Sequence, residues 1–191
     1  MSLAVGVFFH SQALAASEPN KLLLQQETII ESGTTEFIIP ILLENENSIS
    51  GFQCDLYLPD GFAVAADDSG DYQIEMLRTT NERHNLNVRI LDSGCLRILC
   101  SSMSNAIFTG NSGIVLSIKL SVAANVKVGN HSVNLKNIVL TNPQATRYTA
   151  ADVTGTLVVT EKPAVKLGDL NGDGKIDTVD LSLLINLILN Q

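Results

Sequence analysis

The sequence predicts an all-β chain, a two-sheet β-sandwich with a small polar loop and helix appended at its C-terminal end. Three observations predict it. Between about Lys21 and Thr160, short apolar runs recur at close intervals with turn residues between them. No helical periodicity interrupts that span. Beyond it, an Asp/Asn/Gly-rich stretch leads straight into a run of Leu and Ile.

The strands read in chain order. Glu36 to Leu43 is apolar and β-rich, and Gly51 to Leu58 alternates cleanly. Pro59-Asp60-Gly61 is a turn, and Asp67-Asp68 reads as another. Asn87 to Leu91 and Leu96 to Leu99, separated by Asp92-Ser93-Gly94, read as a hairpin. Gly113 to Val122 alternates along its length, and Val133 to Leu140 and Gly155 to Val159 complete the set. This recurrence is the signature of a sandwich. The first 15 residues read as a signal peptide, an apolar run at Leu3 to Phe9 followed by the small-residue site Ala13-Leu14-Ala15, and so imply secretion. No stretch of the mature chain is long enough to cross a bilayer as a helix.

The chain has 191 residues, 45% of them hydrophobic and 17% charged, enough for one well-buried domain and a small appendage. Its net charge of −8 and the lack of a basic stripe in the sequence argue against nucleic acid as a partner. Three cysteines, Cys54, Cys95 and Cys100, leave at least one thiol free. Cys54 and Cys100 could bridge if their strands face each other; buried free thiols are the simpler reading. No nucleophile, acid–base or metal motif surrounds His84 or His131, so the chain reads as non-catalytic. His84 falls in the polar run Thr79 to Asn85 and reads as part of a solvated loop.

Asp169 to Asp180 carries the most specific chemistry. Oxygen-bearing side chains stand at loop positions 1, 3, 5, 9 and 12, and Gly174 stands at position 6, where the backbone must turn. Asp169, Asn171, Asp173, Asp177 and Asp180 would supply side-chain oxygens to Ca2+, and Lys175 its backbone carbonyl. Position 12 is Asp180, where an EF-hand usually has Glu. Four carboxylates this close repel one another, so the loop is expected to loosen without calcium. At about 100 times the dissociation constant, calcium would add roughly 2.7 kcal/mol. Leu181 to Asn190 reads as a helix with one polar stripe, Ser182, Asn186 and Asn190, and Leu or Ile elsewhere. At about 10 residues it is too short to span a membrane, so it needs a protein surface to lie against.

Asp-Xaa-Asn-Gly-Asp-Gly-Lys-Ile-Asp-Xaa-Xaa-Asp followed by Leu-Ser-Leu-Leu resembles one repeat of a dockerin, the calcium module that plugs secreted glycan-degrading enzymes into cohesin-bearing scaffolds. The family normally carries two repeats; this sequence shows one. The resemblance implies that loop positions 10 and 11, here Thr178 and Val179, help select the partner. With Leu181, Leu184, Ile185 and Ile188 they form the expected docking surface. Phe37 to Leu43, Ile49 to Leu56 and Asn111 to Ile118 resemble the strands of a cohesin domain. That likeness implies a jelly roll of about nine strands, with one flat sheet face for binding. The expected division is a signal peptide at 1–15, a cohesin-like sandwich at 21–160, a linker at 161–168 and a single dockerin repeat at 169–191.

The expected function is assembly of secreted proteins in polysaccharide breakdown. Partners would be cohesin- or dockerin-bearing proteins, a second copy of the chain, or its own sandwich, since eight extended linker residues reach about 28 Å. The alternative is a carbohydrate-binding module with the same architecture. Such sites stack sugar rings on aromatics; this chain has no Trp, and only Tyr57, Tyr72 and Tyr148 stand outside its Phe-rich core positions.

Overall fold

The computed structural model describes residues 18–79, 83–162 and 167–189. The signal-peptide segment, part of the linker, Thr80-Asn81-Glu82 and Asn190 lie outside these described residues.

The strands are β1 (Asn20–Leu24), β2 (Glu27–Glu31), β3 (Glu36–Asn45), β4 (Gly51–Tyr57), β5 (Phe62–Val64), β6 (Ile74–Met76), β7 (Asn85–Ile90), β8 (Leu96–Ser101), β9 (Ser112–Val122), β10 (Gly129–Thr141), β11 (Arg147–Thr149) and β12 (Val153–Thr160). A single helix, α1 (Thr178–Leu189), follows among the described residues. Among the described residues there are twelve strands where about nine were expected; three of them, β5, β6 and β11, have only three residues each. The sequence reading missed β1 and β2, which are only five residues long each, although Ser32-Gly33 marks the turn after β2.

Two sheets face each other. The smaller runs β1-β3-β9-β5, with β6 also on β9. The larger runs β2-β12-β10-β4-β8-β7, with β11 on β10. Alternation decides which side chains enter the space between them. Ile39 and Ile41 of β3 face inward beside Ile118 and Leu116 of β9, and Cys54 and Leu56 of β4 lie opposite in the larger sheet. These inward positions form one continuous apolar core. Burial of this kind contributes about 25 cal/mol per Å² of apolar surface and is what holds the layers together.

Turn chemistry matches the sequence. Asp67 Oδ1 accepts the N–H groups of Ser69 and Asp71, closing the expected turn. At Gly61 the backbone has φ +84°, and a Cβ there would stand 2.4 Å from Val126 Cγ2, so only glycine fits. The loop before β9 is held differently. Arg78 donates through its guanidinium to the carbonyls of Leu43, Thr109 and Gly110 and to Asn45 Oδ1, fastening that loop to the end of β3.

The three cysteines are free and buried. Cys54 pairs with Ile98, and Cys100 with Phe52, so the two thiols are diagonal neighbours on the inner face rather than a bonded pair. Burial pushes each thiol up to about 12, which keeps it protonated and inert.

His84 corrects an expectation. It is 4% exposed and stacks on Phe108 with ring centroids 4.4 Å apart. Its ring nitrogens make no hydrogen bond of good geometry. Desolvation lowers its pKa, and the carbonyls of Ala106 and Ser50 oppose this in part. The polar neighbours that suggested a solvated loop are its chain neighbours only; in space its nearest ring is Phe108.

Candidate functional site

Two surfaces carry candidate functional residues: the C-terminal loop and helix, and the outer face of the larger sheet.

The loop is set by side chains that accept backbone N–H groups. Asp169 Oδ1 accepts from Gly172, and Oδ2 from Gly174, both at 2.8 Å. Asn171 Oδ1 accepts from Asp173, and Asp173 Oδ1 from Lys175. Such short-range bonds are what Asp and Asn offer a turning chain. Gly174, at φ +83°, makes the turn at position 6.

The helix begins earlier than the apolar run suggested. Asp177 caps it, accepting the Val179 N–H through Oδ1, while Asp180 Oδ2 accepts the Asp177 N–H. Asp180 at the third helical position thus reaches back as in a capping box, while the Asp177 cap bonds the N–H of the second position. Thr178, Val179 and Asp180 therefore form the first helical turn. Asp180 is 3% exposed, and its Oδ1 also accepts from Leu170 and Asn171. The Asp177 N–H, then those of Asn171 and Leu170, hold its carboxyl below the usual carboxylate range.

The loop suits calcium in the kind of its donors, all oxygen, and in the glycine turn at position 6. Its side chains are not gathered in this conformation. Among the described residues, no three His, Cys, Asp or Glu side chains form a group that could hold a metal ion. Asp180, expected to close the cage, turns both oxygens to backbone N–H groups.

The helix surface is open. Leu184 is 42% and Ile188 61% exposed, and Val179, Leu181 and Ile185 are similarly bare. Thr178 is exposed too. Asp180 is the only buried residue of α1.

The second surface was not singled out in the sequence. Asp55, on the outward phase of β4, is 1% exposed. Its Oδ1 accepts from Arg97 Nε at 2.6 Å, and its Oδ2 from Arg97 Nη2 at 2.7 Å and Asn137 Nδ2 at 2.8 Å. The Arg97 guanidinium holds the Asp55 carboxyl below its ordinary range, with Asn137 assisting. Asn137 reaches Asp55 from an irregularity in β10, where the register shifts between Lys136 and Val139. Register aligns Lys136, Asp55, Arg97 and Arg89 across four adjacent strands. Lys136 Nζ lies 5.4 Å from the centre of the Tyr57 ring. The signal that could have revealed this row was the outward phase of Asp55 and Arg97; their register was not readable.

No aromatic ring is among the exposed large apolar residues of the described chain. Tyr72 and Tyr148 pack against the core, and Tyr57 lies beneath Lys136.

No protein-family model matches the chain, and no curated protein does. Solved structures do. A non-cellulosomal cohesin from the archaeon Archaeoglobus fulgidus is 14% identical, with a TM-score of 0.55 over 74% of this chain and 91% of its own. The seventh ScaB type I cohesin from Pseudobacteroides cellulosolvens is 13% identical, with a TM-score of 0.59 over 77% of this chain and 96% of its own. A type I cohesin–dockerin complex from Clostridium thermocellum contains a chain 14% identical, with a TM-score of 0.58 over 74% of this chain and 99% of its own. At these identities the likeness concerns the fold. The domain is a cohesin-like β-sandwich by structural similarity, with one C-terminal helix.

Proposed function

We propose that this chain is a secreted, non-catalytic assembly protein that works through cohesin–dockerin-type protein–protein contacts. The observation that carries this reading is the match of the sandwich to nearly the whole length of cohesin modules, one of them from a cohesin–dockerin complex. The outer face of the larger sheet is the docking surface for a partner. It combines a part-buried ion pair that fixes side-chain positions with the exposed Leu99. A rigid polar centre beside an apolar contact is what a specific interface needs.

The C-terminal segment is a second docking element. In this reading it is a single dockerin repeat: Asp169, Asn171, Asp173, Asp177, Asp180 and the Lys175 carbonyl take calcium. Asp180 would have to turn from its backbone partners toward the ion. The exposed Leu184, Ile185 and Ile188 then lie against a cohesin-like surface or a second copy, with Thr178 and Val179 at the rim. The setting is extracellular polysaccharide breakdown.

The test uses the full chain with calcium or chelator. Type I dockerins and cohesins immobilised separately are each expected to retain it with calcium and to release it with chelator, since the dockerin partner in either pair needs the ion. Asp169→Ala is expected to abolish retention on cohesins and leave retention on dockerins unchanged. Retention by neither, together with chelator-resistant binding on a glycan array, would replace this reading with the carbohydrate-binding one.

A further inference from the structure

The row across the outer face of the larger sheet is cationic in an acidic protein. Lys136, Asp55, Arg97 and Arg89 follow one another on β10, β4, β8 and β7, so three cations face one carboxylate. The chain as a whole carries −8. Like charges directly opposite on neighbouring strands repel, and Arg89 stands directly opposite Arg97. Asp55 hydrogen-bonds only Arg97 of the two, its oxygens being taken by Arg97 and Asn137. Arg89 is exposed and makes no hydrogen bond or ion pair among the described residues. It helps, after Arg97 and Asn137, to hold the Asp55 carboxyl below its ordinary range without a hydrogen bond to it. A guanidinium carries five N–H donors in a fork that matches a carboxylate.

A second row lies beside the first. Gln53, Leu99 and Asn87 align on β4, β8 and β7. Where the rows adjoin, the surface dips into a cleft of about 360 Å³ lined by Gln53, Asn87, Val88, Arg89, Arg97 and Leu99. Its walls hold two guanidinium groups, two amides and the aliphatic side chain of Leu99, while Val88 of β7 packs against the core. An aliphatic wall beside a cationic one suits a carboxylate carried on an alkyl stem with an apolar neighbour.

We infer that this cleft receives an Asp or Glu side chain from a protein partner, flanked in the partner's sequence by an aliphatic residue that meets Leu99. Arg89 supplies the free fork, and the Asp55–Arg97–Asn137 network fixes Arg97 as its second wall. The inference rests on the proposed docking role for its class of occupant and deepens it by giving the partner's charge. An acidic sugar is the competing ligand. The cleft has no aromatic ring against which a sugar could stack, and its apolar wall is aliphatic.

The test uses the full chain labelled with nitrogen-15 and follows the Nε–H signals of Arg89 and Arg97. The probes are a blocked leucine–glutamate–leucine peptide, its glutamine counterpart, and trigalacturonate. The glutamate peptide is expected to shift both signals, with a midpoint roughly tenfold lower than the glutamine peptide. Arg89→Ala should remove that preference and Arg89→Lys restore part of it, because lysine keeps the charge but loses the fork. Arg89 is exposed and unbonded, so these variants leave folding intact. Equal midpoints for the two peptides overturn the carboxylate site. So do shifts from trigalacturonate alone, or from no probe. A dockerin retained equally by the parent chain and by Arg89→Ala also overturns the site, yet leaves the docking face standing. If no dockerin is retained and no probe shifts any residue of this face, the docking reading falls as well.

Discussion

The sandwich and the C-terminal helix are built from the same aliphatic residues and treat them in opposite ways. Leu43, Ile41 and Ile118 are sealed between two sheets, whereas Leu184, Ile185 and Ile188 stand open on α1. The sandwich finds its partners within the chain, through long-range strand pairing. The helix is specified locally, by a cap and a run of helix-forming residues, and local specification supplies no surface to bury against. Isolated helices of this length are marginal in water, so α1 depends on its cap, its loop and whatever covers it. The difference teaches that one part of the chain buries its apolar residues by itself, while the other leaves them exposed for the docking proposed above.

The comparison can be broken in several ways. The largest expected effect is in the core. Leu43→Ala or Ile118→Ala should cost about 2–5 kcal/mol in urea unfolding, by lost burial and a cavity. The same variants should leave the calcium response of the C-terminal loop unchanged, if the two regions are independent. Next comes the clamp on the loop before β9. Arg78→Ala removes five guanidinium hydrogen bonds, the longest to the Gly113 carbonyl, and should cost roughly 2 kcal/mol, with hydrogen exchange rising first at residues 109–113.

A smaller effect concerns pH. His84 has a lowered pKa in the fold because burial penalises its charged form. Below the unfolded value of about 6.5, the unfolded chain binds the proton more readily, so stability falls as pH drops, at most about 1.4 kcal/mol per pH unit. The contribution is fully present above that value and lost as pH falls through the folded one. His84→Leu should flatten this part of the profile between pH 7 and pH 5. A variant with the same slope as the parent would remove His84 as its cause. The smallest effect is expected on α1. Leu184→Asp should change the unfolding of the sandwich by no more than about 0.5 kcal/mol. A larger loss would mean that the helix already rests on its own sandwich.

How far the sequence revealed this architecture depended on how local each feature is. β4 and β9 were legible because alternation is written in consecutive residues. β2 was not: it joins β12 in parallel, Ile29 beside Val158, a pairing that spans most of the chain. The turn at Gly174 was legible from the Asp/Asn/Gly spacing, but not the path of Asp180. Its place in the first helical turn follows from the cap at Asp177, which the apolar run beginning at Leu181 concealed. His84 misled because a polar neighbourhood along the chain says little about which ring lies across it. The Lys136–Asp55–Arg97–Arg89 row needed the register of four strands, and a one-residue slip would have turned each of its members inward.

Hydrogen exchange on the full chain, with calcium and with chelator, tests the division between the two regions most directly. The account predicts that β3, β4, β9 and β10 stay protected in both conditions, while residues 169–189 gain protection only with calcium. Equal exchange of 169–189 with and without calcium would contradict it.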